Sequence, residues 1–335
     1  MNEHKVCFDV LIPLSMEPAH IEETGDMFIH STSCFLYRKL PFKVLCYGEQ
    51  IKICVDVAAK IRGRVFSSEA AVFRVLKELQ ICRFLQRNCH PNIVEYLGVA
   101  RPNCLFDFNQ VTILYRSYQL SLEVFINQKK ERGESLNIGL LKAIMAGVLS
   151  ALHHLHSHGI IHSNVKANSI LLTENLEVKL AGLASCKISR DRHRSDCYRL
   201  NAREFGADPP ELILGVPMVK GQPVDIFATG CLFYWLATGQ PLFPCTPWVR
   251  DSVLLKVLQF QKLETVPTEE EIQRLELSVD WKYKMVEMRR KVLQERSFDS
   301  HGLERLFNDP GFCRILRCML GFIASQRPTA ERLLR

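Results

Sequence analysis

Residues 153 to 173 read HHLHSHGIIHSNVKANSILLT: five histidines, a lysine and two asparagines, but no carboxylate. The gap is wider than that stretch, since no acidic residue occurs from Ser135 to Thr173, and none from Val178 to Arg190. Amides and hydroxyls exchange hydrogen bonds but do not take up protons at neutral pH, so no carboxylate base is available here in any register. His153, His154, His156, His158 and His162 are the other candidates for chemistry. His154 and His158 stand one helical turn apart, a spacing that suits zinc. No glutamate, aspartate or cysteine lies nearby to complete a ligand set, and the same histidines also fit an ordinary helix end.

Composition narrows the function classes. A chain of 335 residues, 47% apolar, has enough material for two packed lobes or one large domain, and is neither disordered nor fibrous. A net charge of +7 without a dense basic stripe does not predict nucleic-acid binding. Thirteen cysteines, odd in number, scattered and with no C-x-x-C pair, imply neither a disulfide framework nor a zinc ribbon. Reduced thiols in the cytoplasm or nucleus are the expectation. The start MNEHKVCFDVLIPLSMEP is unlike a secretory signal. The 24 uncharged residues from Ile226 to Val249 have the length of a membrane span, but Gly230, Gly239 and three prolines interrupt them. A buried helix followed by a loop is predicted there, and no membrane partner.

Residues 1 to about 34 show no strong period and read as a loosely attached extension. From Phe35 to Lys60, alternation and β-branched content predict two or three antiparallel strands turning at Gly48-Glu49. Apolar residues at helical spacing predict a helix over about 68 to 87, and NIVEYLGV and VTILYRSY read as strands. Beyond residues 118 to 122 the character turns helical, with a stripe from Leu140 to Leu155 that stops at Gly159. SILL and EVKL read as short strands, and VDIFATGCLFYWLAT is too apolar all round to lie on a surface.

In this order the motifs resemble a eukaryotic protein kinase domain over about 35 to 335. VAAK looks like the strand with the ATP-anchoring lysine, Lys60, and KELQICRFLQ puts Glu78 where its ion-pair partner belongs. IIHSNVKANSILL sits at the H-R-D-x-K-x-x-N loop and VKLAGLAS at the D-F-G turn. DPPELILG resembles the A-P-E end of the activation segment with Glu211, PVDIFATGC the central helix with its buried Asp225, and SQRPTAERLL supplies Arg327 as the partner of Glu211. The resemblance implies an α+β, bilobal fold: a small N-lobe over 35–118 with an antiparallel sheet and one main helix, and a larger helical C-lobe over 119–335 with an insertion near 262–310. PPELILG, TGQPLFP and the insertion resemble the cyclin-dependent and mitogen-activated branch. HSNVK and GLAS locally resemble the sterile-20-related adaptor pseudokinases.

Against that template the catalytic charges are missing. Asn164 stands at the catalytic base, Ser169 at the metal-binding asparagine unless neighbouring Asn168 reaches in, Gly182 at the metal-binding aspartate, and Ser163 at the arginine that clamps an activation-loop phosphate. His162 and Lys166 are retained, as is the pair Lys60 and Glu78, which is able to grip a nucleotide unless it is merely a surface pair. Only Gly48 remains of the glycines that approach phosphates, and Glu49 adds repulsion. Ser189, Ser195 and Tyr198 in the basic segment CKISRDRHRSDCYR are candidate phosphorylation sites, unless the segment is a plain solvated loop. The expectation is a catalytically impaired homologue acting as scaffold or allosteric partner of another kinase or signalling protein, with no metal site and no required cofactor. ATP binding, where it occurs, is expected to be weak and independent of Mg²⁺. The alternative is a weakly active serine/threonine kinase that uses Lys60 and Lys166. WKYKMVEMRRKVLQER reads as a basic helix, either solvated or docking a partner.

Overall fold

The computed structural model describes residues 57–100, 108–188, 208–214, 221–242, 254–255, 257–259, 266–294 and 309–335 in full, with the backbone of the strands lying within 11–56 and of residue 101. Gly48, Ser189, Ser195 and Tyr198 lie outside the described residues. The chain divides into two compact units, Met1–Ser121 with Leu171–Ser185, and Leu122–Ile170 with Cys186–Arg335.

The first unit is a six-stranded sheet in the order β1-β5-β6-β4-β3-β2. Its strands are β1 (Leu11–Pro13), β2 (Ile29–His30), β3 (Ser33–Cys46), β4 (Glu49–Gly63), β5 (Tyr96–Arg101) and β6 (Gln110–Arg116). The two or three strands expected up to Lys60 are two, β3 and β4, paired antiparallel from Cys34↔Ile61 to Cys46↔Glu49. All neighbours are antiparallel except β1 and β5, which run parallel. Here the structure departs from the expectation of a loose extension: residues 11–13 and 29–30 pair with sheet strands, and they are too short to have left a period in the sequence.

Helix α1 (Glu69–Arg87) starts at Ser68, whose hydroxyl accepts from the Ala71 amide, and buries Val75, Glu78, Ile81, Cys82 and Leu85 on one stripe. A glutamate in that stripe demands partners. Residues 171–185 join this unit because the Leu180 and Val94 backbones exchange bonds with the neighbouring chain, Leu180 N to Asn92 O at 2.7 Å and Val94 N to Leu180 O at 3.1 Å. They form β9 (Ile170–Leu172) and β10 (Val178–Leu180), and β9 also pairs with β7 (Leu120–Ser121). Along the chain the first unit runs to Ser121, and residues 171–185 return to it.

The second unit is mostly helical, with α2 (Leu122–Glu131), α3 (Ile138–Ser157), α4 (Pro210–Leu214), α5 (Gln222–Thr238), α6 (Glu269–Arg274), α7 (Val279–Gln294), α8 (Pro310–Met319) and α9 (Ala330–Leu334). Two-residue strands β8 (Ile160–Ile161) and β11 (Lys187–Ile188) pair antiparallel. Asn137 caps the start of α3, and Gly159, at φ 71°, takes the left-handed turn that stops it. Leu141, Ile144, Val148, Leu152 and Leu155 of α3 are all buried. Helix α5 is buried on nearly every side, as its composition predicts, and ends at Gly239 with φ 70°. Within α6 and α7, the predicted insertion, Thr268 and Glu271 form a reciprocal capping box, and Glu271 also receives the Gln326 amide at 2.7 Å.

Gly230 lets α5 approach the end of α8: a Cβ there would lie 2.9 Å from Leu320 Cγ and 3.2 Å from Met319 Cβ. Gly230→Ala is therefore expected to destabilise by about 1–3 kcal/mol through overpacking, measured by chemical unfolding.

Candidate functional site

In the first unit, the residues two apart on β4, Lys60 and Arg62, share one face of the strand and both reach Glu78 on α1. Lys60 Nζ lies 2.5 Å from Glu78 Oε1 and Arg62 Nη2 lies 3.3 Å from Oε2. Tyr115 on β6 donates its hydroxyl to Oε1 at 3.1 Å. Lys60 and Glu78 are both buried, so the reading as a surface pair is set aside. Burial holds the Lys60 ammonium below the ordinary lysine range, opposed by the Glu78 carboxylate and reinforced by the neighbouring Arg62. Gly182 adopts φ 85°, a left-handed conformation natural to glycine, and Leu183 after it is buried in a short 3-10 turn, 183–185, that packs on α1.

In the second unit, Asp225 of α5 is fully buried and accepts three hydrogen bonds. His162 N donates to Oδ2 at 2.8 Å, Ser163 N donates to Oδ1 at 2.7 Å, and His156 Nε2 lies 2.9 Å from Oδ2. These bonds hold Ser163 at φ 62°, a conformation that L-residues otherwise avoid. The Ser163 hydroxyl and His156 Nδ1 are buried with no hydrogen-bond partner among the described residues. His162 Nδ1 accepts the Asn164 amide at 3.3 Å. Ser169 Oγ accepts the Lys166 amide at 2.9 Å and lies 3.0 Å from Asn164 O and 2.8 Å from Lys166 O, so this hydroxyl closes the loop on itself.

The same unit holds Glu211 of α4 against Arg327, with Nη1 at 2.7 Å from Oε1 and Nη2 at 2.7 Å from Oε2. The remaining donors go to Gly321 O, Pro223 O and Phe322 O, and the guanidinium lies over the Phe227 ring at 4.8 Å. Every N–H of this arginine is used, which is the condition for burying a charge without large loss. Asp208 stands next to the Pro209-Pro210 start of α4, and burial pushes its carboxyl up to about 6.

Mg²⁺ prefers carboxylate and other hard oxygen donors. In the second unit Ser169 Oγ is engaged by its own loop, and in the first Gly182 has no side chain, so neither of these two positions offers a carboxylate. Among the described residues no three histidine, cysteine or acidic side chains are gathered to hold an ion. Of the histidines, His156 faces Asp225, and the His154 and His158 rings lie 4.7 Å apart.

Sequence reasoning did not find Arg62 and Tyr115 as partners of Glu78, or His156 as a partner of Asp225. The first had a signal in the even spacing from Lys60. The second had one in its place on the apolar stripe of α3. Tyr115 had none, since a tyrosine in an apolar strand reads as core.

A sheet unit in which a strand lysine and a helix glutamate form a buried pair, followed by a helical unit with a loop hung from a buried aspartate, is the α+β architecture of protein kinases. Residues 49–335 match the protein kinase domain model, and the chain belongs to that family. It is similar to mitogen-activated protein kinase 5 of Arabidopsis thaliana, 26% identical over 203 residues, 61% of this chain and 51% of the relative. It is also similar to mitogen-activated protein kinase 19 of the same plant, 25% identical over 297 residues, 88% of this chain and 46% of the relative. Mitogen-activated protein kinase KSS1 of Saccharomyces cerevisiae is 26% identical over 195 residues, 57% of this chain and 52% of the relative. The chain spans about half the length of these relatives.

Arg327→Lys keeps the charge but loses the two-pronged grip, and is expected to lower unfolding free energy by about 3 kcal/mol in denaturant titrations. Asp208 binds its proton more tightly folded than unfolded, so its contribution is present below about pH 4 and lost as pH rises through about 6. The stability of Asp208→Asn relative to the wild type should therefore rise by on the order of 2 kcal/mol between pH 4 and pH 7.

Proposed function

We propose that the chain is a pseudokinase: a protein kinase homologue that acts by binding, as a scaffold or allosteric regulator of another kinase or signalling protein, in the cytoplasm or nucleus. The observation that carries this is the state of the loop 162–169. Asn164 cannot remove a proton, and Ser169, the only hydroxyl at a metal position, is turned onto its own backbone. Loss of a general base alone is worth about 10²- to 10⁴-fold in rate, and losses within one machinery do not simply add. The local resemblance of HSNVK and GLAS to adaptor pseudokinases supports the same reading.

A nucleotide, where one binds, meets Lys60 and does so weakly and without Mg²⁺. The buried Lys60–Glu78 pair favours keeping one second reading, a weakly active serine/threonine kinase using Lys60 and Lys166. Neither nucleic acid nor a membrane is needed as a partner.

A thermal-shift titration with ATP separates these readings. The expected result is a small shift, or none, that Mg²⁺ does not change. A large Mg²⁺-dependent shift, or phosphate incorporation that disappears in Lys60→Met, would overturn the proposal in favour of the weak enzyme.

A further inference from the structure

Glu78 is buried in the apolar stripe of α1, and two different strands hold its carboxylate. We propose that the Tyr115 hydroxyl is a latch that fixes α1, and with it Glu78, in the ion-paired position without help from a ligand. The phenol reaches two points one turn apart on the helix, Glu78 Oε1 at 3.1 Å and Cys82 Sγ at 3.3 Å. Residues four apart share a helix face, so one side chain on β6 touches both.

Direction follows from proton count. The phenol has one proton and gives it to Glu78, so the thiol S–H is the donor to the phenol oxygen. Cys82, Tyr115 and Glu78 thus form a donor chain ending on a carboxylate, the stronger kind of hydrogen bond. Burial keeps both donors protonated, pushing the Cys82 thiol up to about 12 and the Tyr115 phenol well above its usual value. The ring has little freedom: Tyr115 is buried and meets Tyr96 edge-on, centroids 6.2 Å apart at 68°.

Moving α1 off the sheet would break the bonds from Lys60, Arg62 and Tyr115 together and take the shared acceptor away from a buried ammonium and a buried phenol. In protein kinases at large, the position of this helix is the variable that regulation controls, because the Lys–Glu pair must be in place for phosphoryl transfer. The phenol converts that variable into a fixed feature, whether or not the chain has lost catalysis.

Hydrogen exchange on the whole chain tests the latch. Tyr115→Phe removes only the hydroxyl and is expected to speed exchange of the amides at 75–85 by about tenfold or more, with α5 unchanged. In a Glu78→Met background, which has no oxygen acceptor, the same substitution should add little. Unaltered exchange at 75–85, or an effect that simply adds to that of Glu78→Met, would mean the phenol acts by packing alone and would overturn the proposal. The wild type gives a check independent of any variant: α1 should open together with β4 and β6, and α1 opening ahead of those strands would also refute it.

Discussion

A carboxylate removed from water must have its lone pairs filled, and in the helical unit that constraint organises everything around Asp225. Its two oxygens take the backbone amides of His162 and Ser163 and the His156 ring. Those bonds bend the chain into a left-handed turn at Ser163 and fix where the loop leaves β8. Helix α3 and helix α5 are joined through the same group, since His156 belongs to one and Asp225 to the other. Removing the carboxylate would therefore loosen two helices and a loop at once.

Two more buried carboxylates follow the same rule. Glu78 is satisfied by three donors from β4 and β6, and Glu211 by a guanidinium that has no free N–H left. Buried pairs of this kind add little net stability over apolar packing, yet breaking one partner leaves a stranded charge. They specify geometry: which helix lies on which strand, and in which register. These buried charges sit inside the units as braces, while, by the resemblance of the motifs, an amide and a glycine stand where the family has carboxylates and a hydroxyl where it has an asparagine.

Much of this was legible in the sequence because it depends on local pattern. The stripe of α1, the left-handed stop at Gly159 and the all-round apolarity of α5 follow from spacing and residue type. Lys60, Glu78, Asp225, Glu211 and Arg327 could be picked out because each occupies a place in an ordered set of motifs. What stayed hidden depends on contacts between distant segments. Tyr115 and Glu78 are 37 residues apart, and His156 and Asp225 are 69 apart. No periodicity reports such pairs. The return of residues 171–185 to the sheet unit, and the short strands at 11–13 and 29–30, escaped for the same reason: they are set by backbone pairing with remote chain.

The way Asp225 grips its loop has a consequence for substitution. It holds residues 162 and 163 by their amides, and among the described residues the Ser163 hydroxyl has no hydrogen-bond partner. At Asn164 it is again the main-chain amide that makes the bond, to His162. The shape of this stretch is therefore written in the backbone and in a distant aspartate, not in the side chains at 163 and 164. Side chains at those two positions can change without removing any of these bonds, provided the residue at 163 tolerates φ 62°.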